Sequence, residues 1–218
     1  MIAADVNRSN SVSTLDATLI NQCLLGNPSA NNIFSVFWRF APQSWTPVLP
    51  PWSFPEQINL TGISTDQSGL DFYGIKIGDV VNDDANPASF GSGPGALALY
   101  AVDGLLEAGK SYEITFSTGA FDDLAAWQFA FHLDPKSLRF EGLETEPNSL
   151  SPLEAVEFGM WKAEEGEIRS VWTQSEGIDL PAGTPVFRLR VTALESGRLL
   201  SETLRLDEAI LPALAYTS

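Results

Sequence analysis

The chain has 218 residues, 44% of them hydrophobic, so it is long and apolar enough to bury a substantial core. Its 12 basic and 28 acidic residues give a net charge of −16, which excludes sequence-independent binding to nucleic acid and disfavours anionic membranes, because both are negatively charged. One cysteine and one histidine exclude an internal disulfide and a histidine-rich zinc site, and no apolar run approaches the about 18 residues of a membrane span.

The first informative segment covers residues 5–16. Oxygen-bearing side chains fall at positions 1, 3, 5, 9 and 12 of a twelve-residue loop, and position 7 offers a backbone carbonyl. This is the spacing of an EF-hand-like loop, and such hard oxygen ligands suit Ca²⁺. The predicted ligands are Asp5, Asn7, Ser9, Ser11 through its carbonyl, Ser13 and Asp16.

Two other positions in this loop support the interpretation. Asn10 stands where a glycine usually makes the sharp turn, and asparagine tolerates a left-handed backbone. Val12 is predicted to pack inward. Only two carboxylates belong to the shell, which predicts moderate calcium affinity. The alternative is a polar turn in which Asp16 or Thr14 caps the following helix.

Beyond the loop, residues 16–25 carry an apolar stripe at helical spacing, and Gly26 follows it. The stripe predicts a helix in which Cys23 is a core residue rather than a nucleophile. Residues 31–60 mix aromatic residues with proline, which predicts an irregular, aromatic-anchored insert. Residues 71–78 are predicted to form a second short helix.

The tryptophans of the insert allow two interpretations. They either pack the insert onto the helices or form an exposed platform that stacks on sugar rings. We favour packing, because a small helical unit has little core of its own and needs the apolar area. The tryptophans concerned are Trp38, Trp45 and Trp52.

Residues 83–95 are rich in Asn, Asp, Gly, Ser and Pro and are predicted to be a linker. They separate an N-terminal unit, residues 1–82, from a second domain, residues 96–218. The part of the chain up to residue 84 holds three basic residues, Arg8, Arg39 and Lys76, against eight acidic ones. Those acidic residues are Asp5, Asp16, Glu56, Asp66, Asp71, Asp79, Asp83 and Asp84.

The second half alternates apolar and polar residues with a period of two, which predicts many short strands. Turn residues separate the runs, so the expected fold is mostly β: an antiparallel β-sandwich of jelly-roll type that follows a small α, EF-hand-type N-terminal unit. The inward-facing residues are predicted to be Tyr112, Ile114, Phe116, Trp127, Phe129, Phe131, Leu133, Phe187, Leu189, Val191, Leu204 and Leu206.

No combination of side chains in the sequence predicts an enzyme. His132 lies in an alternating strand and is expected on its solvent face. Glu164, Glu165 and Glu167 could suggest the carboxylate pair of a glycosidase, but they flank Gly166 in a predicted hairpin tip, where solvated charges are the simpler explanation.

The loop and helix, Asp5-Val6-Asn7 with residues 16–20 and 24–26, resemble the first repeat of a type I dockerin. Residues 69–80 resemble the second dockerin helix of Bacteroidetes surface proteins, in which a Trp- and Pro-rich insert separates the repeats. The resemblance implies a second calcium loop, but counting back from Asp71 places Leu60 and Gly62 at ligand positions. This degenerate second set would consist of Asp66, Ser68, Asp71 and Asp79.

Residues 96–216 resemble a cohesin-like domain in their strand succession, with Phe158-Gly159, Ser170-Val171-Trp172 and residues 186–189 at the matching places. The resemblance implies non-catalytic binding of a protein or a glycan. We therefore expect an extracellular, calcium-stabilised assembly module with a protein partner, including other copies of itself bound head-to-tail in a filament. The alternative is a carbohydrate-binding or adhesion module of a larger secreted surface protein, with a polysaccharide as its ligand.

Overall fold

In a computed structural model, the described residues are 2–48, 54–79, 97–145 and 156–218. They are mostly β, with antiparallel sheets and few helices, which confirms the predicted fold class. The chain divides into two compact units, residues 1–23 with 27–87 and residues 24–26 with 88–218. The predicted linker, residues 83–95, and Trp52 lie outside the described residues.

The first unit begins with the loop and a helix. The predicted helix is confirmed as α1, Thr14–Leu24, and Gly26 follows it with a φ of +81°. A short helix, α2, Pro28–Asn31, comes next, where the Asn27 side chain accepts the Ser29 N–H at 2.9 Å. With 11 residues, α1 is the longest helix of the described parts, and none of their helices could cross a membrane.

The predicted second helix over residues 71–78 is wrong. The segment instead forms β2, Phe72–Lys76, which pairs antiparallel with β1, Trp38–Pro42. Phe, Tyr and Ile favour strands, and Gly74 would weaken a helix interior, so the presence of a pairing partner decides the conformation. The insert is therefore not irregular throughout, and the dockerin-like second helix is not found.

A small apolar cluster holds the first unit together. Val6, Phe34 and Ile77 are buried at its centre, and Cys23 packs against them as predicted. The other residues that pack on this cluster are Ile2, Leu19, Ile20, Ile33 and Ile75. Backbone hydrogen bonds from Ile77 and Gly78 to the carbonyls of Phe37 and Ala3 tie the residues after β2 to this cluster.

The second unit is a two-layer antiparallel sandwich. One sheet has the order β10-β5-β8-β7, with β11 also paired to β5, and the other has the order β3-β4-β9-β6. The strands are β3 Leu99–Tyr100, β4 Ser111–Thr118, β5 Phe121–Leu133, β6 Leu138–Thr145, β7 Glu157–Lys162, β8 Glu167–Leu180, β9 Pro185–Ala193, β10 Leu204–Leu206 and β11 Leu214–Thr217. A 3₁₀ turn, Ala163–Glu165, joins β7 to β8, and α3, Leu200–Thr203, precedes β10.

The predicted alternation is confirmed in the principal strands. Trp127, Phe129 and Phe131 on β5 are buried. The rings of Phe129 and Phe131 lie against Phe187 on β9, whose ring stacks on that of Phe116 with centroids 4.6 Å apart. The indole N–H of Trp127 donates to the buried Ser170 hydroxyl at 3.2 Å, so its polar atom is satisfied inside the core. On β10 the pattern holds only in part, because Leu206 is 45% exposed.

Asp134, in the turn between β5 and β6, fastens one end of the sandwich. Its carboxylate accepts the Ser137 hydroxyl at 2.8 Å and the Lys136 N–H at 3.1 Å, and Arg198 lies 3.5 Å away. The Ser137 hydroxyl, the Lys136 N–H and the charge of Arg198 together hold the pKa of Asp134 below its ordinary value. The ionised form therefore stabilises the fold.

We expect Asp134→Asn to lower the free energy of unfolding by about 1 kcal/mol at pH 7, because charge-assisted hydrogen bonds are lost. A carboxyl whose pKa is lowered on folding contributes fully above its unfolded pKa, about 3.9, and loses that contribution as the pH falls through its folded pKa. The difference between variant and wild type should therefore shrink in urea denaturation series run below pH 4. The exposed Asp122→Asn serves as the control. A difference that stays constant down to pH 2 would contradict this account.

Candidate functional site

Asp5 opens the predicted calcium loop and is fully buried, with 0% of its surface exposed. One carboxylate oxygen accepts the Ser9 N–H at 2.9 Å, with the Ser9 hydroxyl 3.4 Å away. The other oxygen accepts the Asn10 N–H at 2.8 Å. The loop backbone thus folds around this carboxylate.

Asp16 closes the loop from the first turn of α1 and is 1% exposed. It accepts the Asn7 N–H at 3.3 Å, the Ser13 N–H at 2.8 Å and the Ser13 hydroxyl at 3.0 Å. Burial raises the pKa of Asp16, but these donors outweigh burial and leave its pKa below the ordinary value. The helix cap of the alternative interpretation is also present, because Asp16 accepts the N–H of Ser13, the residue before α1.

The structure brings all six predicted ligand residues into one loop. The Ser9 hydroxyl lies 3.0 Å from the Ser11 carbonyl oxygen and 3.1 Å from the Ser11 hydroxyl, and the Asn7 side-chain oxygen accepts the Ser9 N–H at 2.9 Å. The residue types fit calcium in their chemistry, and the described oxygen–oxygen contacts join the Ser9 hydroxyl to Ser11 and to Asp5.

The loop supplies two carboxylates, and its neutral oxygens would have to complete the shell. Across the described ranges, no three His, Cys, Asp or Glu side chains converge in a way that could hold a metal ion. The moderate calcium affinity expected from two carboxylates stays a prediction.

The backbone of the loop agrees with one prediction and overturns another. Asn10 has a φ of +70°, as its place in the turn predicts, and Arg8 adopts φ +59°, which the sequence did not signal. Val12 was predicted to pack inward, and this is wrong, because its side chain is 53% exposed. Val6, 2% exposed, provides the inward apolar contact instead and joins the core of the first unit.

The second predicted ligand set does not form a cluster. Asp66 and Ser68 are exposed in an irregular segment, whereas Asp71 and Asp79 lie beyond opposite ends of β2. Five extended residues span about 16 Å, so the strand separates two carboxylates that a helix would have brought closer.

The outer face of the β4-β9-β6 sheet carries three arginines and three glutamates. Ion pairs join Arg188 to Glu113 at 2.9 Å, Arg190 to Glu144 at 3.0 Å and Arg139 to Glu141 at 2.9 Å. Hydrogen bonds from Thr192 and Arg139 hold the pKa of Glu141 below its ordinary value. A shallow depression of about 600 Å³ lies on this face. In a chain with net charge −16, this face is electrically balanced.

The candidate catalytic residues take up structural positions. His132 is half-buried on the outer side of β5, between the buried Phe131 and Leu133. Glu164 and Glu165 lie in the turn that ends at Gly166, which confirms the predicted hairpin tip. Glu167 instead pairs with Arg169 at 2.7 Å and Lys162 at 3.8 Å.

The tryptophans of the insert differ in their environments. Trp45 packs against the buried Phe54, with ring centroids 5.4 Å apart, so this ring contact lies within the insert and not on the helices that the packing interpretation names. Trp38 is 46% exposed on β1 and does not follow that interpretation.

No protein-family model and no curated protein sequence matches the chain. The solved structures that match include cohesin modules. The sixth cohesin of scaffoldin B from Acetivibrio cellulolyticus, solved with a mutant Cel5 dockerin, is 12% identical, with a TM-score of 0.39, over 51% of this chain and 80% of that one. CaCohA2 from Clostridium acetobutylicum is 9% identical, with a TM-score of 0.38, over 54% of this chain and 78% of that one. A non-cellulosomal cohesin from the archaeon Archaeoglobus fulgidus is 14% identical, with a TM-score of 0.35, over 51% of this chain and 78% of that one. Identities and scores this low do not place the chain in the cohesin family.

Proposed function

We propose that the chain is a non-catalytic, calcium-stabilised protein-interaction module that acts outside the cell. The observation that supports this proposal best is the loop of residues 5–16, in which the buried Asp5 and Asp16 carboxylates both accept backbone N–H groups of the loop. Such an arrangement suits a structural cation better than a reactive centre, because the carboxylates are buried and already oriented by backbone donors.

Bound calcium would be held by Asp5, Asn7, Ser9, Ser11, Ser13 and Asp16, and it would neutralise the two buried carboxylates. The loop contributes Val6 to the first unit's core and leads directly into α1. Ion binding would therefore contribute directly to the folding of this unit. The moderate calcium affinity expected for a shell with two carboxylates suits extracellular calcium concentrations, which supports a location outside the cell.

The proposed partner is a protein, and the charge distribution favours a second copy of the chain. The first unit is acidic, with eight acidic and three basic residues up to residue 84. The outer sandwich face balances three arginines with three glutamates, so it would repel an acidic partner less than the chain's average surface would. Binding of the first unit of one copy to this face of the next is a head-to-tail contact, which gives rings or filaments.

Size-exclusion chromatography with light scattering tests this proposal in 2 mM calcium and in excess EGTA. We expect a mass of at least twice the monomer in calcium and a monomer in EGTA. The double variant Asp5→Ala, Asp16→Ala should be monomeric in both buffers. Arg188→Glu with Arg190→Glu should weaken assembly in calcium, whereas Arg205→Glu, an exposed arginine on β10, should not. A monomer under every condition would refute self-assembly.

A further inference from the structure

One face of the β1–β2 sheet exposes three aromatic rings. In an antiparallel pair, directly opposite residues share a face, so Trp38 and Phe40 on β1 lie on the same side as Gly74 and Phe72 on β2. Trp38 is 46% exposed, Phe40 50% and Phe72 37%. These four residues form what we call the aromatic face.

Gly74 is the floor of this face. A Cβ atom at Gly74 would lie 3.4 Å from a ring carbon of Trp38 and 3.7 Å from one of Phe40. Both rings therefore lie close over the backbone of β2, where a methyl group would be in van der Waals contact with them and a bulkier side chain would crowd them. The result is a shallow surface of aromatic rings with no side chain projecting from its centre.

The opposite side of β1 anchors the sheet. Ala41 is 2% exposed, and the Arg39 side chain, 12% exposed, places its guanidinium 5.2 Å from the centroid of the buried Phe54 ring. Burial on that side fixes the strand while leaving the rings of the aromatic face half in solvent. The folded sheet itself therefore keeps the rings of the aromatic face exposed.

The outer edge of β1 is occupied by the chain itself at the middle of the strand. Glu56 accepts the backbone N–H of Phe40 at 3.3 Å and also pairs with the Arg39 side chain. An incoming peptide strand needs such edge groups free for its own hydrogen bonds. A ligand of the aromatic face would therefore contact the rings rather than extend the sheet at β1.

The size of the face restricts its occupant. Two five-residue strands cover about 16 Å by 10 Å, or about 160 Å². A stable protein interface buries about 800 Å² on each partner, so neither a second copy nor a globular partner would be held by this face alone. An elongated ligand of single-chain width matches it.

We propose that the aromatic face binds a neutral polysaccharide segment, with the apolar C–H faces of its sugar rings stacked on Trp38 and Phe40. Aromatic rings combine a large apolar area with an electron-rich face, which suits the polarised C–H bonds of a pyranose. The net charge of −16 favours a neutral glycan over an acidic one.

Affinity electrophoresis in native gels tests the proposal with the full chain in 2 mM calcium. The gels contain hydroxyethylcellulose, xylan, galactomannan or laminarin, and a gel without polysaccharide gives the reference mobility. We expect retardation in at least one of them. Trp38→Ala and Phe40→Ala should each lower the association constant about tenfold, which corresponds to the loss of one stacking contact. Gly74→Val should have a similar effect by crowding both rings.

Tyr73→Ala is the matched control, because Tyr73 is 58% exposed but faces the other side of β2. It should keep wild-type retardation. Far-UV circular dichroism establishes that each variant is folded. Unretarded wild-type protein in all four gels would overturn the proposal, as would equal retardation of wild type and Trp38→Ala. Binding of a ten-residue polyproline peptide that depends on Trp38, without retardation by any glycan, would also overturn it in favour of a proline-rich peptide ligand.

Discussion

Asp5→Ala is expected to remove the effect of calcium on the thermal unfolding of the first unit. At 10 mM calcium and a dissociation constant of about 0.1 mM, ion binding stabilises the folded unit by about 2.7 kcal/mol. The variant loses this term and also leaves the Ser9 and Asn10 N–H groups without their carboxylate acceptor. Its first transition should therefore occur at a lower temperature than that of wild type in calcium.

Differential scanning calorimetry in calcium and in EGTA separates these contributions, because the two compact units can unfold in separate transitions. The sandwich transition should not move with calcium. Asp66→Ala is the matched control, since Asp66 is an exposed carboxylate outside the loop, and it should keep the full calcium response. A calcium response that survives Asp5→Ala but not Asp66→Ala would contradict this prediction, because it would show that calcium binds the second ligand set instead.

Gly166→Ala is expected to destabilise the sandwich by about 4 kcal/mol, which is exceptional for the addition of one methyl group. Gly166 has a φ of +91°, and a Cβ there would lie within 2.0 Å of the Leu133 carbonyl oxygen. That backbone atom cannot move freely, because Leu133 N–H donates to the Gly166 carbonyl at 2.8 Å and joins the two segments. The added methyl must therefore break this contact or distort β5.

Gly183→Ala separates the clash from the backbone strain. Gly183 has a similar φ of +84°, but nothing lies within 4 Å of its Cβ position, so it should cost only about 1 kcal/mol. Urea denaturation followed by tryptophan fluorescence measures both variants, since Trp127 and Trp172 report on the sandwich core. Equal losses for the two variants would show that the hairpin tolerates the methyl group.

The strands of the second half could be predicted because the pattern that specifies them lies within each strand's own sequence. Apolar residues at every second position specify a strand with one buried face, and β4, β5 and β9 follow that rule. The compact loop of residues 5–16 could be located for a similar reason, because its predicted ligand positions follow one short contiguous segment, and calcium binding there stays a prediction.

The errors arose where distant residues decide the outcome. Phe72–Lys76 is a strand because it pairs with Trp38–Pro42, and its own eight-residue pattern fits a short helix equally well. Val12 is exposed because Val6 already occupies the inward position. The exposure of Trp38 depends on which face of β1 the rest of the unit covers. None of these partners can be deduced from local spacing.

The pairing order of the sandwich also has a consequence for how the chain acquires its structure. The β7–β8 hairpin is closed by a short turn, but Trp127 and Ser170, which link β5 to β8, are 43 residues apart, and Ser111 and Thr192, which link β4 to β9, are 81 apart. Closing such long loops costs entropy before the contacts form, so folding of this unit is expected to take milliseconds to seconds. Until β9 has paired, the apolar faces of β4 and β5 remain uncovered. The strand order therefore leaves these apolar faces exposed to intermolecular contact for as long as β9 is unpaired.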